Sequence, residues 1–250
     1  MNAIGIIPAR FASTRFPGKP LAMIGGKPMV QRVYEQALKV LDVVVVATDD
    51  DRIFSAVEAF GGRAVMTSPW HKSGTDRAAE AIGLVSKQLD RQFDVVLNIQ
   101  GDEPFIQPEQ LRKVLSCFLD RDAEIATLVK PFSPSEDIFN PNSPKVVVNR
   151  KGEAIFFSRS PIPYIRGAEQ ELWSTQHVFL KHIGLYGYRA DVLDEITKLE
   201  QTPLELAESL EQLRWIENGY KIMVEQTHLE SMGIDTPEDL ERVIQLGLLG

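Results

Sequence analysis

Cysteine is nearly absent from this chain: Cys117 is the only one among 250 residues, so no internal disulfide can form. A lone thiol suits a reducing cytoplasm, and within the apolar pattern "LRKVLSCFL" it reads as a buried helix position. Long apolar runs are lacking as well. The longest, "VVVVA" at 43–47, falls far short of the ~20 residues that span a bilayer, and it reads as a strand. A charged, proline-bearing loop follows the first short apolar run, which does not fit a secretory signal. Internal repeats and low-complexity tracts are missing. Cations are outnumbered, 27 Lys and Arg against 35 Asp and Glu, and the net charge of −8 argues against general binding to nucleic acid or an anionic membrane.

One region has no acidic residue at all. None occurs before Glu35, whereas Arg10, Arg15, Lys19, Lys27 and Arg32 do. Most of this charge lies in or near "IIPARFASTRFPGKP" (6–20), directly behind the first apolar run. An acidic chain that collects cations in one loop is suited to a small anionic ligand there.

Segments of strand and helix character alternate through the first half. "AIGIIP" (3–8), "DVVVVATD" (42–49), "RAVM" and "DVVLNIQ" (94–100) read as strands. "PMVQRVYEQALKV" (28–40), "DRIFSAVEAF" stopped by Gly61-Gly62, and "TDRAAEAIGLVSKQL" read as helices between them. This rhythm predicts an α/β fold with a mainly parallel central sheet and helices on both faces. After about residue 130 it loosens into a smaller, antiparallel-leaning second half. A proline-bearing connection (131–144) precedes a hairpin over 145–160 with its turn at Lys151-Gly152, and residues 161–178 read as another loop. A strand at 182–189, one amphipathic helix over 204–219, the strand "KIMVEQ" and a last helix follow, the last with Thr236 as N-cap and Pro237 at its first position.

Ligands of open α/β sheets bind beyond the carboxyl ends of the strands, and the loop after the first strand is the usual place. Here that loop carries Arg10, Arg15, Lys19 and Lys27, and Ser13, Thr14 and Gly18 can turn backbone amides toward phosphate oxygens. It is not a Walker A loop, because Gly18-Lys19 runs into Pro20, and it has no G-x-G-x-x-G. Its charge could neutralise a triphosphate. Asp102, just beyond the fourth strand in "NIQGDEPF", is placed to hold Mg²⁺, which takes one or two carboxylates beside water and phosphate oxygens. Asp235 in "GIDTPEDL" is either a second ligand or part of a helix cap, and Glu103 is either a ligand or a turn residue. Asp49, Asp50 and Asp51 read as charge at a helix N-terminus. No Cys-His or Ser-His-Asp pairing is evident, and His71, His177 and His228 lack metal-ligand spacing.

Eight blocks then stand in a familiar order: "IPARFASTRFPGKPL", "VATDD", "HKSGTDR", "NIQGDEPF", "FFSRSPIPY", "KHIGLYGYR", "ESLEQLR" and "GIDTPEDLERV". Over nearly its whole length the chain resembles the CMP-Kdo synthetases, the 3-deoxy-manno-octulosonate cytidylyltransferases of lipopolysaccharide and capsule synthesis. The resemblance implies a glycosyltransferase-A-like nucleotide-diphospho-sugar transferase fold, Mg²⁺ dependence, a homodimer, and the conversion of CTP and Kdo into CMP-Kdo and pyrophosphate. It implies that Arg10, Arg15 and Lys19 bind the CTP phosphates, Arg15 reaching either these or the sugar carboxylate. Pro8, Ala9, Ser73, Gly74 and Arg77 would frame the cytidine, and Asp102 and Asp235 would ligate magnesium. Gln100, Arg159, His182, Tyr186, Glu211 and Gln212 would surround the sugar acid. One domain over 1–250 is implied, with about 1–130 and 220–250 as nucleotide-binding core and about 131–219 as the sugar-binding and dimerisation part. Phe11, Phe16 and the run-up "ESMGIDTP", which lacks the usual Pro-Gly, depart from the pattern.

Three readings compete with it. One is activation of a related acid, 8-amino-Kdo or a sialate-like sugar. Another is a noncatalytic nucleotide-binding protein, which would need no metal aspartates. The third is a glycosyltransferase, whose D-x-D "QGDEP" matches poorly. His182 and Tyr186 lie four apart, and even spacing on a strand predicts one shared face. The aromatic segment 155–173 either leaves apolar surface for a partner copy or packs on its own domain.

Overall fold

The computed structural model describes residues 1–13, 15–230 and 233–245; Thr14, read above as a phosphate-loop residue, and Ser231 and Met232 of "ESMGIDTP" lie outside the described residues. The chain forms two compact units. The first comprises Met1–Arg112, Arg189–Thr197 and Glu230–Gly250, the second Lys113–Tyr188 and Lys198–Leu229.

The first unit opens with β1 (Ala3–Ala9), β2 (Met23–Ile24), β3 (Lys27–Pro28), α1 (Met29–Leu38), β4 (Val44–Thr48), α2 (Asp51–Ala59), β5 (Ala64–Met66), α3 (Gly74–Leu89) and β6 (Val95–Asn98). Helix α4 (Pro108–Cys117) follows. Four parallel strands lie in the order β6-β1-β4-β5. They are parallel because each connection is a crossover long enough to hold a helix. Their apolar runs are buried without alternation, all five residues of β4 and all four of β6, as strands covered on both faces require. Register brings Ala9 beside Thr48 and Ile6 beside Asn98, so the carboxyl ends of β1, β4 and β6 sit side by side. Gly101, just past β6, has room for no side chain: a Cβ there would lie 2.9 Å from the Pro8 carbonyl oxygen. That contact draws the loop after β6 against the end of β1.

The second unit is built from β7 (Ile125–Pro131), β8 (Lys145–Val148), β9 (Ala154–Ser158), the short α5 (Trp173–Gln176) and β10 (Leu180–Arg189). After α6 (Ala190–Ile196), which returns to the first unit, it continues with α7 (Pro203–Glu208), α8 (Gln212–Glu217) and β11 (Ile222–Gln226). β7 pairs β10 antiparallel and β11 parallel, and β8 pairs antiparallel with both β10 and β9. The β8–β9 turn falls at the expected place, with Gly152 at a φ of +80°. The connection 161–178 is more ordered than expected, with a 3₁₀ turn at Gln170–Leu172 running into α5. Burial pushes the Cys117 thiol up to about 11, as befits an inert side chain.

The amphipathic stretch 204–219 is two helices, not one. Ser209 adopts a left-handed φ of +50° and ends α7, and α8 starts afresh at Gln212. The leucine pattern runs through the break, which is why the sequence reads as continuous.

Helix α9 (Pro237–Gln245) is the last described element and belongs to the first unit. Thr236 Oγ1 accepts from the Asp239 amide, and the Asp239 carboxylate accepts from the amides of Asp235 and Thr236. Buried Ile234 and Val243 pack with Ile24 and Met29, and with Phe16 and Phe105 beside them. This apolar cluster fastens the C-terminal segment to the loop after β1.

Candidate active site

The carboxyl end of β1 and the loop just past β6 border a cleft of about 260 Å³ in the first unit. β1 supplies Pro8 and Ala9, and the loop behind it supplies Arg10, Arg15 and Lys19. The start of α3 adds Ser73, Gly74 and Arg77, and the loop after β6 adds Gln100 and Asp102. Asp235 completes it from the segment before α9. Every residue that the resemblance sets against the nucleotide or the metal lines this cleft, whereas Gly18, Lys27 and Glu103 do not; Lys27 pairs instead with Glu35 at 2.7 Å.

Charge organises its floor. The Lys19 ammonium donates to Asp102 Oδ2 at 2.6 Å and to Asp235 Oδ1 at 3.1 Å. Arg15 faces Asp235 with both Nη atoms at 3.2 Å. The aspartates meet because the Ile234 amide donates to the Asp102 carbonyl at 2.9 Å, clipping the two segments together. Asp235 thus turns its carboxylate to cations and leaves the helix cap to Thr236.

Two carboxylates converge here on one ammonium. Hard oxygen donors in that number suit Mg²⁺, which completes its shell with water and phosphate oxygens. Among the described residues no group of three or more His, Cys, Asp or Glu could hold a metal, so an all-protein cage is not on offer.

The α3 end is rigid. Ser73 Oγ accepts from the Asp76 amide at 3.1 Å and Asp76 accepts from the Ser73 amide at 3.2 Å, a reciprocal capping box. Buried Arg77 donates to Thr67 Oγ1 at 2.6 Å and to Asp49 Oδ2 at 3.2 Å. Asp49 is therefore the anchor of Arg77, a role its reading as helix charge did not foresee, whereas Asp50 does cap α2 by accepting from the Arg52 amide. His71 and Lys72 also line the cleft. The His71 ring pairs with Glu80, which accepts the Ser68 amide as well. Sequence reasoning passed over both; the available signal was a cation directly before the Ser73 cap.

The residues expected around the sugar, Gln100 apart, belong to the second unit. β10 carries an irregularity between Ile183 and Tyr186, so the even-spacing argument fails in form. His182 stands opposite Val129 and Tyr186 opposite Thr127, only two apart on β7, and their rings come within 5.3 Å. The Thr127 hydroxyl lies 2.8 Å from the Leu185 carbonyl, 3.1 Å from that of Ile183, and 3.1 Å from His182 Nε2. Its single proton goes to a carbonyl, so it accepts from Nε2–H and leaves Nδ1 as an acceptor. Burial pushes the imidazole down to about 4. Tyr186 stands edge-on to Trp215, and the Gln212 Nε2 amide is buried without a hydrogen-bond partner among the described residues. Arg159 donates to the carbonyls of Glu208, Ser209 and Pro141 at 2.6, 3.1 and 2.9 Å. It thereby pins the break between α7 and α8; Glu211 precedes α8, with no capping bond from its side chain, and Gln212 begins it.

A family model described as cytidylyltransferase matches residues 4–222. The chain is 62% identical over 248 residues to a 3-deoxy-manno-octulosonate cytidylyltransferase of Parabacteroides distasonis, covering 98% of this chain and 97% of that one. It is 49% identical to the protein of the same name from Thermodesulfovibrio yellowstonii, covering 96% of each. Its fold is similar, with a TM-score of 0.89 and 44% identity across 99% of both chains, to a CMP:2-keto-3-deoxy-manno-octonic acid synthetase complexed with CTP.

Proposed function

The chain belongs to the cytidylyltransferase family, and we propose that it transfers CMP from CTP to the anomeric hydroxyl of 3-deoxy-D-manno-octulosonate, releasing pyrophosphate. The observation that carries this reading is the floor of the cleft, where Lys19 joins Asp102 and Asp235 beside Arg10 and Arg15. The identity of the acceptor rests on the relatives.

In this reading Arg10, Arg15 and Lys19 hold the triphosphate oxygens, arginine as a fork and lysine as a compact charge. Ser73 and Gly74 present the amide end of α3, whose dipole favours an anion. Arg77, immobilised by Thr67 and Asp49, frames the cytidine with the backbone of Pro8 and Ala9. Asp102 and Asp235 would hold Mg²⁺, which when bound supplies neutralisation of phosphoryl charge and acidifies the attacking hydroxyl. The sugar hydroxyl forms the new bond to the α-phosphorus, the bond to the β-phosphate oxygen breaks, and the hydroxyl proton leaves. Alignment and charge neutralisation account for such a step without a nucleophilic side chain.

His182, Tyr186, Gln212, Glu211, Arg159 and Gln100 are proposed to receive the sugar acid. A buried Gln212 amide without a partner among the described residues supports a polar ligand there, since such a group costs free energy until it is paired. A homodimer formed by the second unit is proposed as well. Ile155, Tyr164, Leu172 and Val178 are exposed on it, while Trp173 of the same segment is buried with Ile138 and Phe179. No helix among the described residues is long and apolar enough to cross a membrane, and a single inert thiol suits the reducing cytoplasm.

Pyrophosphate release from CTP, Kdo and Mg²⁺ tests the reaction, and mass in solution tests the dimer. Turnover with GTP or ATP equal to that with CTP would refute the base assignment, and preference for another sugar acid would replace the acceptor.

A further inference from the structure

The loop after β1 carries the cations of the cleft, and Phe11 ties its two ends together. The Phe11 carbonyl accepts the amides of Ser13 and Gly18, each at 3.0 Å, and so draws the loop back on itself. Gly18 has a φ of +72°, and a Cβ there would lie 3.0 Å from the Phe11 ring. The same ring lies under the Arg52 guanidinium, 3.3 Å from its centroid. Arg52 belongs to the first turn of α2, and Asp50, at the end of β4, grips its Nε at 2.9 Å and Nη2 at 2.6 Å. A continuous set of contacts thus runs from the sheet through Asp50, Arg52 and Phe11 to Gly18. Arg10 directly precedes this pin and Lys19 directly follows it.

We propose that Arg52, which does not line the cleft, is a positioning residue for nucleotide binding: by clamping the Phe11 ring it fixes the backbone from which Arg10 and Lys19 project. The inference rests on the reading that this loop takes the triphosphate of CTP. Asp50 has two functions in it, capping α2 and aiming Arg52.

The test is a double-mutant cycle on the full chain with Arg52→Ala, Phe11→Leu and the pair, reading KM for CTP, KM for Kdo, kcat and the melting temperature. An exposed cation over a half-buried ring contributes little individually, so Arg52→Ala is expected to raise KM for CTP about three- to ten-fold. KM for Kdo, kcat and melting temperature should stay close to those of the unsubstituted protein. In the Phe11→Leu background Arg52→Ala should add almost nothing, because its partner is gone. A KM for CTP unchanged in Arg52→Ala, equal losses on both substrates, or full additivity of the two substitutions would overturn the proposal. Failure of the unsubstituted protein to bind CTP, seen by titration calorimetry, would overturn the CTP reading itself and this inference with it.

Discussion

Lys19 and Asp102 stand 83 positions apart in the chain and meet at 2.6 Å, with the ammonium also 3.1 Å from Asp235. Each partner has a use that the other restrains. A lysine neutralised by two carboxylates is held in the cleft without a phosphate, and two carboxylates beside an ammonium are kept together without a metal.

Replacing one acid should therefore separate binding from turnover. Asp102→Asn removes a negative charge next to the proposed triphosphate site and leaves Lys19 less neutralised. Measured by calorimetry without Mg²⁺, CTP binding is expected to be unchanged or tighter. Turnover with Mg²⁺ should fall on the order of 10²- to 10³-fold, the scale for losing one group that stabilises transition-state charge. Asp235→Asn should act in the same direction. Turnover that survives either change would remove that aspartate from the metal site.

Lys19→Ala should do the reverse. Hydrogen bonds to charged groups are worth more than neutral ones, so KM for CTP is expected to rise roughly 10- to 100-fold. The KM for Kdo should move little. Initial rates with each substrate varied in turn decide the point, and a loss confined to Kdo would reassign the loop.

How far the sequence could be read depended on whether a feature was local. Arg10, Arg15 and Lys19 stood out because a run without acids sits in one loop after one strand, and Asp102 because it ends another. The parallel sheet was legible because β1, β4 and β6 are short apolar runs spaced by helical ones. Convergence of Asp102 with Asp235 needed the Ile234 amide bond and the apolar cluster of Ile24, Met29, Ile234 and Val243, contacts between distant segments. Ser209 was invisible for the opposite reason: its neighbours keep a helical pattern, and only the capture of carbonyls by Arg159 reveals the break. The irregularity in β10 likewise has no signal in side-chain alternation. His71 was set aside for want of a metal partner, although its actual partner, Glu80, lies on the helix that follows it.

A buried ion pair in the second unit should matter for stability and not for nucleotide binding. Arg214 grips Glu205 at 2.7 and 2.6 Å, both side chains being largely buried. Burial alone would raise the Glu205 pKa, but the Arg214 fork outweighs it and holds the carboxyl below its ordinary value. Glu205→Gln leaves a buried guanidinium without its counter-charge, which costs about 3–5 kcal/mol. For a chain of this size that lowers the melting temperature by roughly 10 °C. An apolar replacement of both residues should recover much of the loss, and KM for CTP should stay constant in all three proteins. A melting temperature unmoved by Glu205→Gln would show that the pair is solvated in solution.

His182 should make stability depend on pH in a defined window. Burial lowers its pKa from the ordinary 6.5 to about 4, so the folded chain resists the proton that the unfolded chain accepts. Above pH 6.5 both states are neutral at this residue and its full contribution to stability is present. As pH falls from 6.5 toward 4 the unfolded state gains a proton first, and stability declines by up to about 3 kcal/mol. Glu136 adds a separate acid loss. Burial raises its pKa, but the Lys181 ammonium and the Ser133 amide outweigh that and bring it to about 2, so its contribution fades only below 4.5. The difference in urea unfolding between the unsubstituted protein and His182→Gln from pH 7 to 4.5 therefore isolates the histidine. The unsubstituted protein should lose stability across that range, and His182→Gln, which cannot titrate, should show a flatter dependence whatever its stability at pH 7. Equal slopes for the two proteins would mean that His182 is open to water and takes up its proton at an ordinary pH.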